Sequence, residues 1–266
     1  MDKLFIIALN AFQETLRRRV FYVVLLLALI VVLGISSEMF YLRMARQAGE
    51  TQILAAVGAR IMEKILQIWD FAALFLALFL GAIGVSSEIN AKTIVHVMSR
   101  PVERWIYLLG RWLGVLIFLW GFLFVGVAGA LLISLWLDVS YAPTLWLAFA
   151  HYYVTATFFS GVALGFSVFV PPVLAGILAF FLSILPSIAR GATHDPRWLH
   201  RIPALFGYYL GPARMPVDLM AQSFSKEALH TDYWLYLRIL GENALYVIAV
   251  LVLASFFFKR RELRVR

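Results

Sequence analysis

Along the chain, long apolar runs alternate with short polar breaks, and the breaks carry nearly all of the charge. Crossing ~30 Å of hydrocarbon takes a helix of about 17 to 25 residues at 1.5 Å per residue. Six runs approach that length: 20–37, 69–85, 112–137, 145–170, 173–188 and 244–258. Only Pro171 and Pro172 separate the fourth from the fifth, since adjacent prolines remove helix donors and force a turn. Ahead of the first run, residues 1–19 place Leu4, Phe5, Ala8, Phe12 and Leu16 on one helical stripe and Lys3, Asn10, Gln13, Glu14 and Arg17 opposite. That pattern predicts an amphipathic helix lying at a membrane interface. Segment 38–68 reads as half-apolar helix. Segment 189–238, with Pro196, Pro203, Pro212 and Pro216, reads as a partly folded extracytoplasmic element.

The expectation is therefore an all-α integral membrane protein, one domain over 1–266, with six transmembrane helices. Composition agrees: 63% of the 266 residues are hydrophobic and the mean hydropathy is +0.87. Charged residues make up 14%, against roughly 25% in a soluble domain. A cleaved leader is not expected, because the basic cluster Arg17–Arg18–Arg19 lies far from Met1 and no small-x-small site follows the first run. Cysteine is absent, which removes disulfides and thiolate metal sites.

Lys and Arg bias short loops toward the cytoplasm. With the N-terminus inside, thirteen cations share that face: Lys3, Arg17, Arg18, Arg19, Lys92, Arg100, Arg104, Arg111, Lys259, Arg260, Arg261, Arg264 and Arg266. Five acids oppose them there, Asp2, Glu14, Glu88, Glu103 and Glu262, so the formal net charge of +8 falls on one side. Both termini are then cytoplasmic. Headgroups and the insertion rule account for this charge without nucleic acid, which is not an expected partner.

Charge is scarce inside the runs. Asp70, Asp138 and Glu242 fall at outer ends, and His151 is the one titratable side chain placed within a span. Glycines recur instead at helical spacing, among them Gly110 with Gly114 and Gly161 with Gly165. Small residues so placed let helices approach closely in lipid, so these four are assigned to helix packing.

Between the second and third runs, 86–104 behaves differently. Glu88, Lys92, His96 and Ser99 share one helical face, with Ile89, Ile94, Val97 and Met98 on another. Glu88 four residues before Lys92 is the favourable ion-pair order, Ser86 or Ser87 can cap the start, and Pro101 disfavours helix at Arg100. A short cytoplasmic helix tied between two spans follows, unable to move independently of them. The chain carries no GxxxxGK[ST] phosphate loop and no intramembrane charge relay. Any vectorial work must therefore be driven from outside, through such loops.

The run EINAKTIVHVMSRPVERWIYLLGRWLG resembles the stretch of ABC-2 type transporter permeases in which an acidic residue, a Thr-Ile pair, a Ser/Arg-Pro and an aromatic-x-x-x-x-Gly-Lys/Arg lead into the third span. AFQETLRRRVFYVVLLLALIVV and FFFKRRELRVR are similar to that family's opening and basic tail. The resemblance implies six spans per permease, two permeases per transporter as homodimer or heterodimer, and the plasma (inner) membrane of a prokaryote. It further implies two separate ATP-binding subunits, which hold ATP and Mg and dock on the coupling helix between spans two and three. By that carry-over, Glu88, Ile89, Lys92, Thr93, His96, Ser99, Arg100 and Pro101 face or shape the ATPase groove. The chain itself is expected to hold no cofactor or metal and to catalyse nothing. Its apolar spans favour an amphipathic, lipid-like exported substrate over a small ion.

Two other classes stay open on the residues alone. One is a non-transporting membrane anchor or assembly factor that recruits a cytoplasmic protein. The other is a membrane enzyme using His151, for which the scattered Ser134, Ser160, Ser167 and Ser183 supply no obvious partner. His194, His200 and His230 with Asp195 and Asp232 match no standard ligand spacing.

Overall fold

The computed structural model describes residues 2–36, 51–90, 103–137, 142–192, 233–260 and the single positions 202, 205 and 223. Seven helices make up the described elements: α1 (Asp2–Arg17), α2 (Arg19–Ser36), α3 (Thr51–Asn90), α4 (Arg104–Leu137), α5 (Thr144–Ser167), α6 (Pro172–Ala192) and α7 (Tyr233–Arg260). Four of them hold stretches long and apolar enough to cross a membrane: Val57–Ile89, Arg104–Leu135, Thr144–Ser167 and Tyr233–Phe258. The apolar parts described in α2 and α6, Arg19–Ile30 and Pro172–Leu182, are shorter.

Several boundaries differ from the sequence expectation. The second run and part of the half-apolar segment before it form one 40-residue helix, α3. No glycine or proline interrupts positions 59–80, so nothing there unwinds it. Ser86 and Ser87 do not cap a new helix: their hydroxyls donate to the carbonyls of Ala82 (2.7 Å) and Ile83 (2.8 Å) one turn back, and α3 continues to Asn90. α4 starts at Arg104 rather than 112, because 104–111 continues the same helix. Asp70 lies within the apolar stretch of α3 rather than at its outer end. Of segment 189–238, the ends belong to α6 and α7. The hydroxyl of buried Ser223 lies 3.0 Å from that of Thr144, and its carbonyl accepts from the Ala142 amide at 2.8 Å.

The proline pair does separate two helices. α5 ends at Ser167, and α6 begins with Pro172 at its first position, where the missing donor costs nothing. The Pro171 carbonyl accepts from the Ala175 amide at 3.0 Å.

Packing follows small residues. A Cβ on Gly81 would lie 2.5 Å from the Ser160 carbonyl, and one on Gly84 would lie 2.6 Å from Leu164, so α3 and α5 run side by side in the same direction. Gly161 faces Val247 and Gly165 faces Val250, which sets α7 parallel to α5. α4 runs antiparallel to α3, since Arg111 meets Gly84 while Phe122, later in α4, meets the earlier Trp69, whose Nε1–H donates to the Phe122 carbonyl at 2.8 Å and whose ring stacks on that phenyl with centroids 4.6 Å apart. Hydroxyls of Thr155, Thr157, Ser160 and Ser167 donate to carbonyls three or four residues earlier in α5, so these polar groups are satisfied within their own helix.

Candidate functional site

The N-terminal turns of α4 gather the ends of three other helices. Arg104, Tyr107 and Arg111 recur at spacings of three and four, which puts them along one side of α4. Arg104 donates from Nη1 to the Phe258 carbonyl at 2.8 Å, and its guanidinium carbon stands 5.9 Å from the centre of the Phe258 ring. Phe258 lies in the last turn of α7, where carbonyls lack helical partners and favour a cation. The Tyr107 ring lies 6.2 Å from the same phenyl ring.

Arg111 is the centre of the site. It is 7% exposed, and its fork divides three ways. Nε donates to the Gly84 carbonyl of α3 at 3.0 Å, Nη2 meets Glu88 Oε1 at 2.7 Å, and Nη1 meets Glu14 Oε2 of α1 at 2.5 Å. Tyr107 donates its hydroxyl to the other Glu88 oxygen, and Arg18 pairs with the other Glu14 oxygen. Two carboxylates and two guanidiniums thus neutralise each other across α1, α3 and α4. Glu14 feels opposing influences: partial burial pushes its carboxyl up, but the hydrogen bonds and charges of Arg111 and Arg18 prevail and hold it below its ordinary value.

α1 reaches this cluster by close backbone approach. Its Ala8, Ala11 and Thr15 are buried on one face. A Cβ on Gly110 would lie 2.7 Å from Ile7, and one on Gly114 would lie 2.4 Å from the Ala8 carbonyl and 2.6 Å from the Ala11 Cβ. Phe12 then meets Phe118 one turn on. The expected stripe of Leu4, Phe5, Ala8, Phe12 and Leu16 is therefore split. Ala8 is buried and Phe12 leans on α4, while Phe5, Ile6, Leu9 and Leu16 point outward. Small alanines seat against glycines because only they allow the contact, which displaces the larger apolar residues to the outer side.

Of the residues assigned to the ATPase groove, Glu88 and Ile89 sit in the last turn of α3, half-buried. Glu88 faces Tyr107 and Arg111, and Ile89 packs against the cluster of Val85, Leu108 and Phe258. Lys92, Thr93, His96, Ser99, Arg100 and Pro101 lie outside the described residues, as do His194, His200 and His230. A Cβ added to Gly110, Gly114, Gly161 or Gly165 would fall less than 3.0 Å from a neighbouring helix in every case.

Sequence reading placed Arg111 among loop cations and Glu14 on the solvent side of α1. The structure puts both in one part-buried contact, with Arg111 buried and Glu14 partly exposed. A signal was present: Arg111 is the one charge in α4 after its first residue, and it sits between Gly110 and Gly114. An arginine inside an apolar helix needs a partner, but the sequence does not identify which acid supplies it.

A family model described as ABC-2 family transporter protein matches residues 5–263 of this chain. No curated protein matches it.

Proposed function

The chain belongs to the ABC-2 family of transporter proteins, and from that membership we propose how this permease is driven. Its residues 1–266 form one transmembrane domain with six spans, α2 to α7, preceded by α1 at the membrane interface. Both termini are cytoplasmic, and the membrane is the plasma (inner) membrane of a prokaryote. Two permeases pair, and separate ATP-binding subunits that hold ATP and Mg dock beneath segment 86–104. Hydrolysis there is coupled to export of a substrate for which the apolar spans favour an amphipathic, lipid-like class.

The Arg111 cluster carries this reading. Segment 91–102 connects the end of α3 to the start of α4, and Glu88 in the last turn of α3 is held by Arg111 and Tyr107 of α4. A force applied to the segment is therefore delivered to both spans as one body. Glu14 extends the same body to α1. Rigid elements joined by few discrete contacts are suited to a two-state tilt of the kind that alternates access across a membrane.

The test is the complex of this chain with the ATP-binding protein that copurifies with it, reconstituted in lipid. Glu88→Gln and the charge-conserving Arg111→Lys are expected to leave the complex assembled while uncoupling the ATPase rate from the permease. If no ATP-binding protein copurifies, the reading of a driven permease fails and a non-transporting anchor replaces it. If the complex forms and both variants keep the natural ATPase rate, the coupling role of the cluster fails.

A further inference from the structure

α2 has one face turned wholly outward. Val24 and Ala28 are buried against α3 and α4, and the opposite side is a column led by Arg19 and continued by Tyr22, Leu26, Ile30 and Leu33. These four are 57%, 58%, 55% and 67% exposed. At 1.5 Å per residue, the column rises about 21 Å above Arg19, more than half of the ~30 Å hydrocarbon thickness. Arg17 stands two residues earlier, at the end of α1, also exposed. Between them Arg18 is committed to Glu14, whereas among the described residues neither Arg17 nor Arg19 meets a carboxylate. The chain thus presents two guanidiniums at the foot of an apolar wall.

We infer that this face is a binding site for an anionic phospholipid, whose headgroup phosphate is held by Arg17 and Arg19 and whose acyl chain lies along Tyr22, Leu26, Ile30 and Leu33. Guanidinium recognises phosphate by charge-assisted, bidentate hydrogen bonds, and a headgroup brings that anion to the level where the apolar column starts. A second copy of the chain fits the face less well. Two parallel copies meeting through this column would bring Arg19 against Arg19, and tight helix pairing in lipid favours small residues, whereas among its described residues α2 turns Ala28 inward and large side chains out. Because α1 is bonded to the Arg111 cluster through Glu14, an anion at the α1–α2 junction touches the element that the cluster holds.

The experiment uses the purified full-length chain without any partner, so its outcome is independent of the ATPase reading. Thermal unfolding is followed in detergent during titration with phosphatidylglycerol, phosphatidylcholine or inorganic phosphate. Phosphatidylglycerol is expected to raise the Tm at lower concentration than phosphatidylcholine, with a preference of about fivefold per cation, and inorganic phosphate to have no effect. Arg17→Gln with Arg19→Gln should abolish the preference, while Arg238→Gln, on an exposed cation of α7, should keep it. An equal response to both lipids, a preference that survives the double variant, or full reproduction by inorganic phosphate overturns the site. A photo-reactive phenylalanine at Leu26, in a chain with its arginines intact, gives a second reading: capture of lipid supports the proposal, and capture of another copy of the chain overturns it.

Discussion

Arg111 Nη2 stands 2.7 Å from Glu88 Oε1, and the same guanidinium reaches Glu14 of α1. A buried cation is therefore shared by the first helix and by the turn from which segment 91–102 departs. Removing Arg111 takes one buried cation away from two carboxylates at once, Glu88 and Glu14. Arg111→Met is expected to lower stability by about 3 to 5 kcal/mol. Arg111→Lys should recover only part of it, since one ammonium lacks the planar fork that serves Gly84, Glu88 and Glu14 together. Denaturant unfolding of the three proteins in the same detergent measures both.

Acid should loosen α1 first. Glu14 is held below its ordinary pKa in the folded chain, so its contribution to stability is complete above the unfolded value, about 4.3. It is lost as pH falls through the lower folded value. Amide exchange of α1 at neutral pH should be slower in the natural chain than in Glu14→Gln, and the difference should shrink as pH drops below about 4.3. A difference that grows on acidification contradicts the sign of the shift.

Glycine positions separate into two kinds. Gly114→Ala places a Cβ 2.4 Å from the Ala8 carbonyl, a backbone atom that cannot swing away, so α1 must move off α4. Gly129 has nothing within 4 Å of its would-be Cβ. Gly129→Ala is expected to leave stability within about 0.5 kcal/mol, or to raise it slightly through helix propensity. Proteolytic release of the N-terminal segment should quicken for the first variant and stay unchanged for the second.

Trp69 joins α3 to α4 twice, through its Nε1–H to the Phe122 carbonyl and through a stacked ring pair inclined by 9°. Trp69→Phe keeps a ring and loses the hydrogen bond, for an expected cost of about 1 kcal/mol. Gly126→Ala should cost more, because its Cβ would fall 2.0 Å from the Trp69 indole. The two substitutions should be strongly non-additive in a double-mutant cycle, since the smaller ring makes room for the methyl group.

Much of the architecture was legible in one dimension. Membrane residence, an all-helical fold and the break at Pro171 and Pro172 depend on local properties: run length and ring constraint. The start of a helix at Ser86 or Ser87 was misread because a serine hydroxyl serves equally well as a cap or bonded one turn back, and the surrounding chain decides between them.

What only the tertiary structure decided is which charges meet. Glu14 and Arg111 are 97 residues apart and appear in sequence as a surface acid and a loop cation. Close approach of α1 to α4 at two glycines brings them together, and the burial of Arg111 there calls for acidic partners. Helix formation and lipid burial depend on each segment's own residues, whereas the partner of a buried charge depends on how segments pack, and that is a property of the whole chain.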